Sequence, residues 1–243
     1  MRMMRTLLFC GVCCLGAQAD VITYVTPAGS KVPINQPVDA SVTFATAPGT
    51  ITVTLTNLEA NPRDVGQDLS DLFFTVGNGN VNTASYAPGP VDSAQLVSID
   101  GAGIPTLGST LDTASDIGWV LSIVSGTELH MDVLSGPGHA GPAQTIIGPP
   151  NGSGVYSNAN GSIAGNKPHN PFINQTASWV IDAPNVSAGT TITSATFSFG
   201  TIAGIKVPGT AVPEPGFYGI VALGLAGVLI GVRRRRRTTS AQG

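Results

Sequence analysis

The sequence predicts an all-β fold, an antiparallel β-sandwich or jelly roll, and three observations carry that expectation. Between Asp20 and Ala211 the apolar residues recur with period two rather than 3.6, which is the spacing of strands. The alternating segments are short, rich in β-branched or aromatic residues, and bounded by Gly, Pro, Asn or Asp. No dozen-residue run in that span presents one apolar helical face, and about ten short strands without helices bury a core by packing sheet on sheet.

The first strand is expected at residues 21–25. Val38, Ala40, Val42 and Phe44 then alternate with Asp39, Ser41 and Thr43, and Ile51, Val53 and Leu55 alternate with Thr52, Thr54 and Thr56. Ala47-Pro48-Gly49-Thr50 lies between them with Pro second and Gly third, as a type II turn requires, so the two segments form a hairpin. Further strands are expected at 72–76, 95–99, 119–124, 128–133, 179–181 and 190–199, with Ser125-Gly126-Thr127 turning a second hairpin. Residues 135–174, punctuated by Gly148-Pro149-Pro150-Asn151-Gly152 and Asn166-Lys167-Pro168-His169-Asn170-Pro171, read as one long irregular stretch, either functional or mobile. No fixed internal period is present, which argues against a solenoid or propeller.

Composition places this body in one compartment and excludes one class of partner. Gly 31 and Pro 18 among 243 residues stay below the level of low-complexity chains, so the body is expected to fold. Lys31, Arg63, Lys167 and Lys206 are its only strong bases, against thirteen acids. The whole-chain net charge of −3 hides this acidity, because the other basic residues sit at the two ends. Without a basic patch to neutralise phosphates, no nucleic-acid partner is expected. At the start, Arg2 and Arg5 precede a short apolar run, and Ala17-Gln18-Ala19 offers the small residues that signal peptidase reads, so cleavage is expected before Asp20. Cys10, Cys13 and Cys14 all lie in that leader, which leaves the body with neither a disulfide framework nor a thiol nucleophile.

The other end carries the clearest signal. In Val212-Pro213-Glu214-Pro215 two prolines fix φ and remove two backbone donors, so the segment reads as a stiff extended spacer. Residues 216–232 are apolar without a charge and, at ~1.5 Å per residue, span roughly 25 Å, the short end of what a bilayer core needs. Arg233, Arg234, Arg235, Arg236 and Arg237 follow at once and anchor that end on the cytoplasmic side, leaving the body outside. This order resembles the PEP-CTERM sorting signal of Gram-negative bacteria, with Pro213, Glu214 and Pro215 matching its motif. The resemblance implies recognition by an exosortase, an intramembrane cysteine protease or transpeptidase that acts near Pro-Glu-Pro and is associated with exopolysaccharide production. It further implies export through the inner membrane as a sorting intermediate, then display at the cell surface or in the extracellular matrix. An ordinary tail anchor that is never cut is the alternative. The chain thus divides into a signal peptide (1–19), a body (20–211), a sorting signal (212–237) and a polar tail (238–243).

Few residues of the body form constellations with chemistry. Glu128, His130 and Asp132 alternate along one strand and share a face, which suits a divalent ion or a base, or more simply a solvated face on which His130 pairs with its acidic neighbours. His139 and His169 sit in Gly/Pro-rich loops; His169, beside Asn170 and Phe172, is the better candidate for binding. Asp64, Asp68 and Asp71 cluster closely enough to suggest Ca²⁺, the one cofactor considered, although their spacing is not that of an EF-hand loop. Trp119, Trp179 and Tyr156 offer stacking surfaces for a glycan. The nucleophile elbow, the zinc-protease helix motif, the phosphate-binding loop and the dinucleotide fingerprint are all absent from the sequence. The resulting expectation is a non-enzymatic structural or adhesive component of the exopolysaccharide or biofilm matrix, with a carbohydrate-binding module or glycan-active enzyme as the alternative.

Overall fold

The computed structural model describes residues 20–87, 93–112, 118–134, 136–202 and 204–212. Strands make up 46% of it and helix 2%, so the all-β expectation holds. The expected leader, Pro213, Glu214, Pro215, the apolar run and the five arginines lie outside the described residues. Among the described residues no helix is long and apolar enough to cross a membrane.

The strands in chain order are β1 (Asp20–Val25), β2 (Ala40–Ala47), β3 (Thr50–Asn57), β4 (Leu69–Val76), β5 (Ser85–Tyr86), β6 (Ala94–Ile99), β7 (Pro105–Leu111), β8 (Val120–Ile123), β9 (Glu128–Asp132), β10 (Ile146–Ile147), β11 (Phe172–Asp182), β12 (Ile192–Phe199), β13 (Lys206–Pro208) and β14 (Thr210–Val212); one 3-10 turn, Val65–Gln67, precedes β4. The expected hairpin is β2–β3, with Ala47 opposite Thr50 and Gly49 at φ 81°, the left-handed conformation that a type II turn asks of its third residue. Its first strand begins at Ala40, so Val38 is buried just ahead of the sheet rather than within it. The second expected hairpin is β8–β9, in which Ile123 faces Leu129.

Hydrogen bonding joins all the strands into one sheet with the central order β13-β12-β4-β10-β11-β3-β2-β1-β14. That sheet folds back on itself. β8, β9, β4, β12 and β13 form one layer; β14, β1, β2, β3 and β11, extended by β6 and β7, form the other. Rings from opposite layers meet between them: Phe44 and Phe74 lie 4.9 Å apart, and Trp119 and Trp179 5.2 Å apart. Period two explains the arrangement, because Val42, Phe44, Val53, Leu55, Leu72, Phe74, Leu129, Met131 and Trp179 all point inward and are buried.

Two short crossings close the sandwich. At one edge β10 pairs antiparallel with β4 at Leu69 and parallel with β11 at Ile173, which makes the sheet mixed rather than purely antiparallel. At the other edge β13 pairs with β12, and after Gly209 the chain changes layers so that β14 pairs with β1. The corner favours glycine because it is crowded: a Cβ on Gly209 would sit 3.0 Å from the Phe197 ring, 3.1 Å from the Ala195 oxygen and 3.2 Å from the Tyr24 side chain.

The stretch expected to be irregular, 135–174, contains β10 and the first three residues of β11. The loop between them folds over a second, smaller core of Val65, Val97, Ile99, Ile147, Tyr156, Ile163 and Phe172. Gln175, at φ 63°, bends β11 where it passes from β10 to β3. Phe172 thereby faces the small core, while Ile173 and Trp179 face the large one.

Candidate functional site

The residues chosen for glycan stacking lie inside the protein. Trp179 is fully buried and packs on Trp119; Trp119 is buried too, and its Nε1–H donates to the Gln144 oxygen at 2.9 Å. Tyr156 is buried in the small core, where its hydroxyl donates to the Gly148 oxygen at 2.9 Å. Burial and desolvation push the Tyr156 hydroxyl pKa well above its usual range. None of the three rings can meet a sugar without unfolding its surroundings.

His169, Asn170 and Phe172 do come together, as the latch of the small core. Asn170 Oδ1 accepts from the Ile99 backbone N–H at 2.7 Å, and its Nδ2 donates to the oxygens of Ile99, Ile163 and Asn166 at 3.1–3.3 Å. Both amide donors are thereby committed to backbone oxygens, and Oδ1 already accepts one backbone bond. His169 Nδ1–H donates to the Ser162 oxygen at 2.6 Å, and Phe172 is fully buried. Fixed rings in a proline-rich loop thus serve packing here.

Asp64, Asp68 and Asp71 go to three separate places, which removes the basis for a shared Ca²⁺ site. Asp64 caps the 3-10 turn: its Oδ1 accepts from the Gly66 N–H at 2.8 Å, and Gln67 returns a bond to the cap backbone. Asp68 is fully buried, with Oδ2 accepting from the Thr145 hydroxyl at 3.3 Å and Oδ1 without a partner. Asp71 lies on the outer face of β4 beside His130. Among the described residues no group of three or more His, Cys, Asp or Glu side chains is arranged to hold a metal ion.

Burial raises the Asp68 pKa well above its ordinary 3.8, against the smaller opposing effect of the Thr145 bond. The native state therefore holds this proton more tightly than the unfolded chain does. Below 3.8 both native and unfolded chains carry the proton and the group is neutral in its effect; as pH climbs above 3.8 the unfolded chain releases its proton first and gains relative stability. Asp68→Asn removes this titration. The variant should gain stability relative to wild type as pH rises from 4 to 8, by about 1–3 kcal/mol at the upper end, as measured by urea unfolding across that range. A pH-independent difference would contradict it.

The strand face at His130 is the one polar cluster that alternation correctly assembled. His130 Nε2–H donates to Asp71 Oδ1, its Nδ1 lies 3.7 Å from Asp132 Oδ2, and its ring stacks on Phe73 at 3.9 Å and 7°. Lys206 Nζ stands 3.6 Å from the centroid of Phe73, on the face that the imidazole leaves open. His139 Nε2 approaches Asp132 Oδ1 to 2.9 Å, an ion-pair distance without hydrogen-bond alignment. Asp71 and His139 could not be placed beside His130 from the sequence, since both contacts are made across the fold. Burial raises the Asp71 pKa, opposed by the bond from His130. Both imidazole nitrogens of His130 are turned to carboxylates, so neither is presented to a substrate, and Phe73 has both faces covered. The cluster is a largely buried set of histidine–carboxylate contacts on the outer face of β4 and β9.

The part of the chain with an assignable task is its carboxyl-terminal end, from the crossing strand onward. Residues 206–212 run from β13 through Gly209 to β14, where Val212 pairs with Thr23, Ala211 with Tyr24 and Thr210 with Val25. All three side chains of β14 are exposed. Val212, expected to belong to the proline spacer, is instead a sheet residue, so the folded body reaches the residue immediately before Pro213. No curated protein and no solved structure matches the chain. Residues 211–237 match the family model described as the PEP-CTERM protein-sorting motif. The match spans the proline-bracketed Glu214, the apolar run and the arginine block in the order read from the residues, and the chain accordingly carries a PEP-CTERM sorting motif at its carboxyl-terminal end, which supports its being an exosortase substrate.

Proposed function

We propose that the body of this exosortase-sorted surface or secreted protein is a non-enzymatic structural or adhesive component of the exopolysaccharide matrix. One observation carries the reading: the outer face of the layer β1-β2-β3-β11 is a regular array of small neutral side chains. Thr23, Thr43, Thr54 and Ser178 stand opposite one another across four strands, and Ser41, Thr56 and Thr176 form the next row. Several are paired hydroxyl to hydroxyl: Thr23 with Thr43 at 2.9 Å, Thr54 with Ser178 at 2.8 Å and Thr56 with Thr176 at 3.0 Å. In the Thr23–Thr43 and Thr56–Thr176 pairs each hydroxyl has one donor and two acceptor sites, so pairing leaves capacity for a second partner. Asp182, at the end of β11, is the only charged side chain that the alternation of these four strands puts on the face from Val21 onward.

A neutral surface of hydroxyls suits a polysaccharide, which presents hydroxyls of its own and, when anionic, would be repelled by the acidic remainder of the body. Thr43→Lys with Thr54→Lys puts two long charged chains in the middle of the array. Retention of the body, residues 20–212, on purified exopolysaccharide of the host should fall at least about tenfold, which is some 1.4 kcal/mol. Ser122→Lys, on an exposed strand of the other layer, should leave it unchanged. Wild-type body that fails to co-sediment with that polysaccharide, or equal loss in both variants, would contradict the reading.

A further inference from the structure

We propose that β14 is part of the segment that the exosortase takes up, and that it must leave β1 before the sorting motif can be processed. The proposal rests on the exosortase assignment and adds a step to it. The family match begins at Ala211 while β14 runs to Val212, so two residues of the sorting motif are held in the folded sheet.

Geometry makes the overlap consequential. From Val212 to Gly216, where the apolar run starts, there are four residue steps, at most about 14 Å of chain. A protease engages its substrate as an extended segment whose backbone groups are free to pair with the enzyme. Backbone already paired to β1 at Thr210, Ala211 and Val212 cannot do so on that side, and the sandwich itself stands directly behind it.

The same strand is built to come away. Its three side chains are exposed, so leaving the sheet uncovers little apolar surface, and what holds it is a short backbone ladder to β1. Release would stop at Gly209, whose N–H donates to the Ala195 oxygen at 2.8 Å and whose α-carbon is enclosed by Phe197, Ala195 and Tyr24. Behind that point β13 stays paired with β12. Three residues are freed, the accessible chain ahead of Gly216 grows to about 25 Å, and the core remains closed.

A reversible lock tests this in the full-length exported protein. Thr23 and Val212 are cross-strand partners, Thr23 half-buried and Val212 exposed, and the body has no cysteine of its own. The double variant Thr23→Cys with Val212→Cys should, when oxidised, be processed at least tenfold more slowly than wild type and accumulate as membrane-held precursor. Reduction should restore the rate, and Thr23→Cys alone should behave as wild type. Equal processing of the oxidised and reduced double variant overturns the release step while leaving the exosortase assignment intact. Absence of processing in wild type itself would instead overturn the assignment.

Discussion

Trp179→Ala should lower the unfolding free energy of the body by about 3–5 kcal/mol. Trp179 is the largest fully buried side chain, at the middle of β11, packed on Trp119 from the facing layer. Truncation leaves a cavity that neither neighbour can fill, because β11 is held in register by β3 over seven residue pairs. Against a typical stability of about 5–15 kcal/mol, the loss is a large fraction of the total. Urea unfolding of residues 20–212 would show it as a lower midpoint with an unchanged slope. An unaltered midpoint accompanied by lost glycan binding would return Trp179 to the surface. This outcome also bears on how binding assays are interpreted: a variant at Trp179 that fails to bind anything has first lost its fold.

Alternation made the large core legible. Val42, Phe44, Val53 and Leu55 declare their inward face by spacing alone, and the Pro48-Gly49 turn fixes their register. What spacing could not show was length and partnership. β10 is two residues long, too short to alternate, yet it joins the two layers through Leu69 and Ile173. β7 carries Gly108 and exposed residues on both faces, so its sequence has no apolar side to recognise. The small core under the loop eluded the same logic because Tyr156, Ile163 and Phe172 are brought together by turns, not by a period. Trp179 and Tyr156 looked available to a ligand for the same reason. Neighbours in sequence say little about which face is covered when the covering layer comes from elsewhere in the chain.

Glu214→Ala should abolish processing and hold the protein in the membrane fraction. Glu214 is the only charge between Lys206 and Arg233, and prolines on both sides fix the backbone that presents it. A bilayer has no use for that carboxylate, which lies outside the apolar run, whereas an enzyme recognising the motif does. Every strand of the described body is formed by residues that precede Glu214. Melting of the mutant body should therefore match wild type, which separates failed recognition from misfolding. Normal release of the mutant would show that the motif is read without its carboxylate.

Intact-mass analysis of the protein recovered from the cell surface or medium is the decisive test of the sorting assignment. The expected mature species begins near Asp20 and ends near the Pro213-Glu214-Pro215 motif, without the apolar run and without Arg233 to Arg237, while the Glu214→Ala precursor retains both. A helix that stays in the bilayer is extracted only by detergent, so the two fates also separate on fractionation. Recovery of a peptide joining Ile220 to Arg233 from mature wild-type protein would contradict cleavage and leave the segment a permanent anchor.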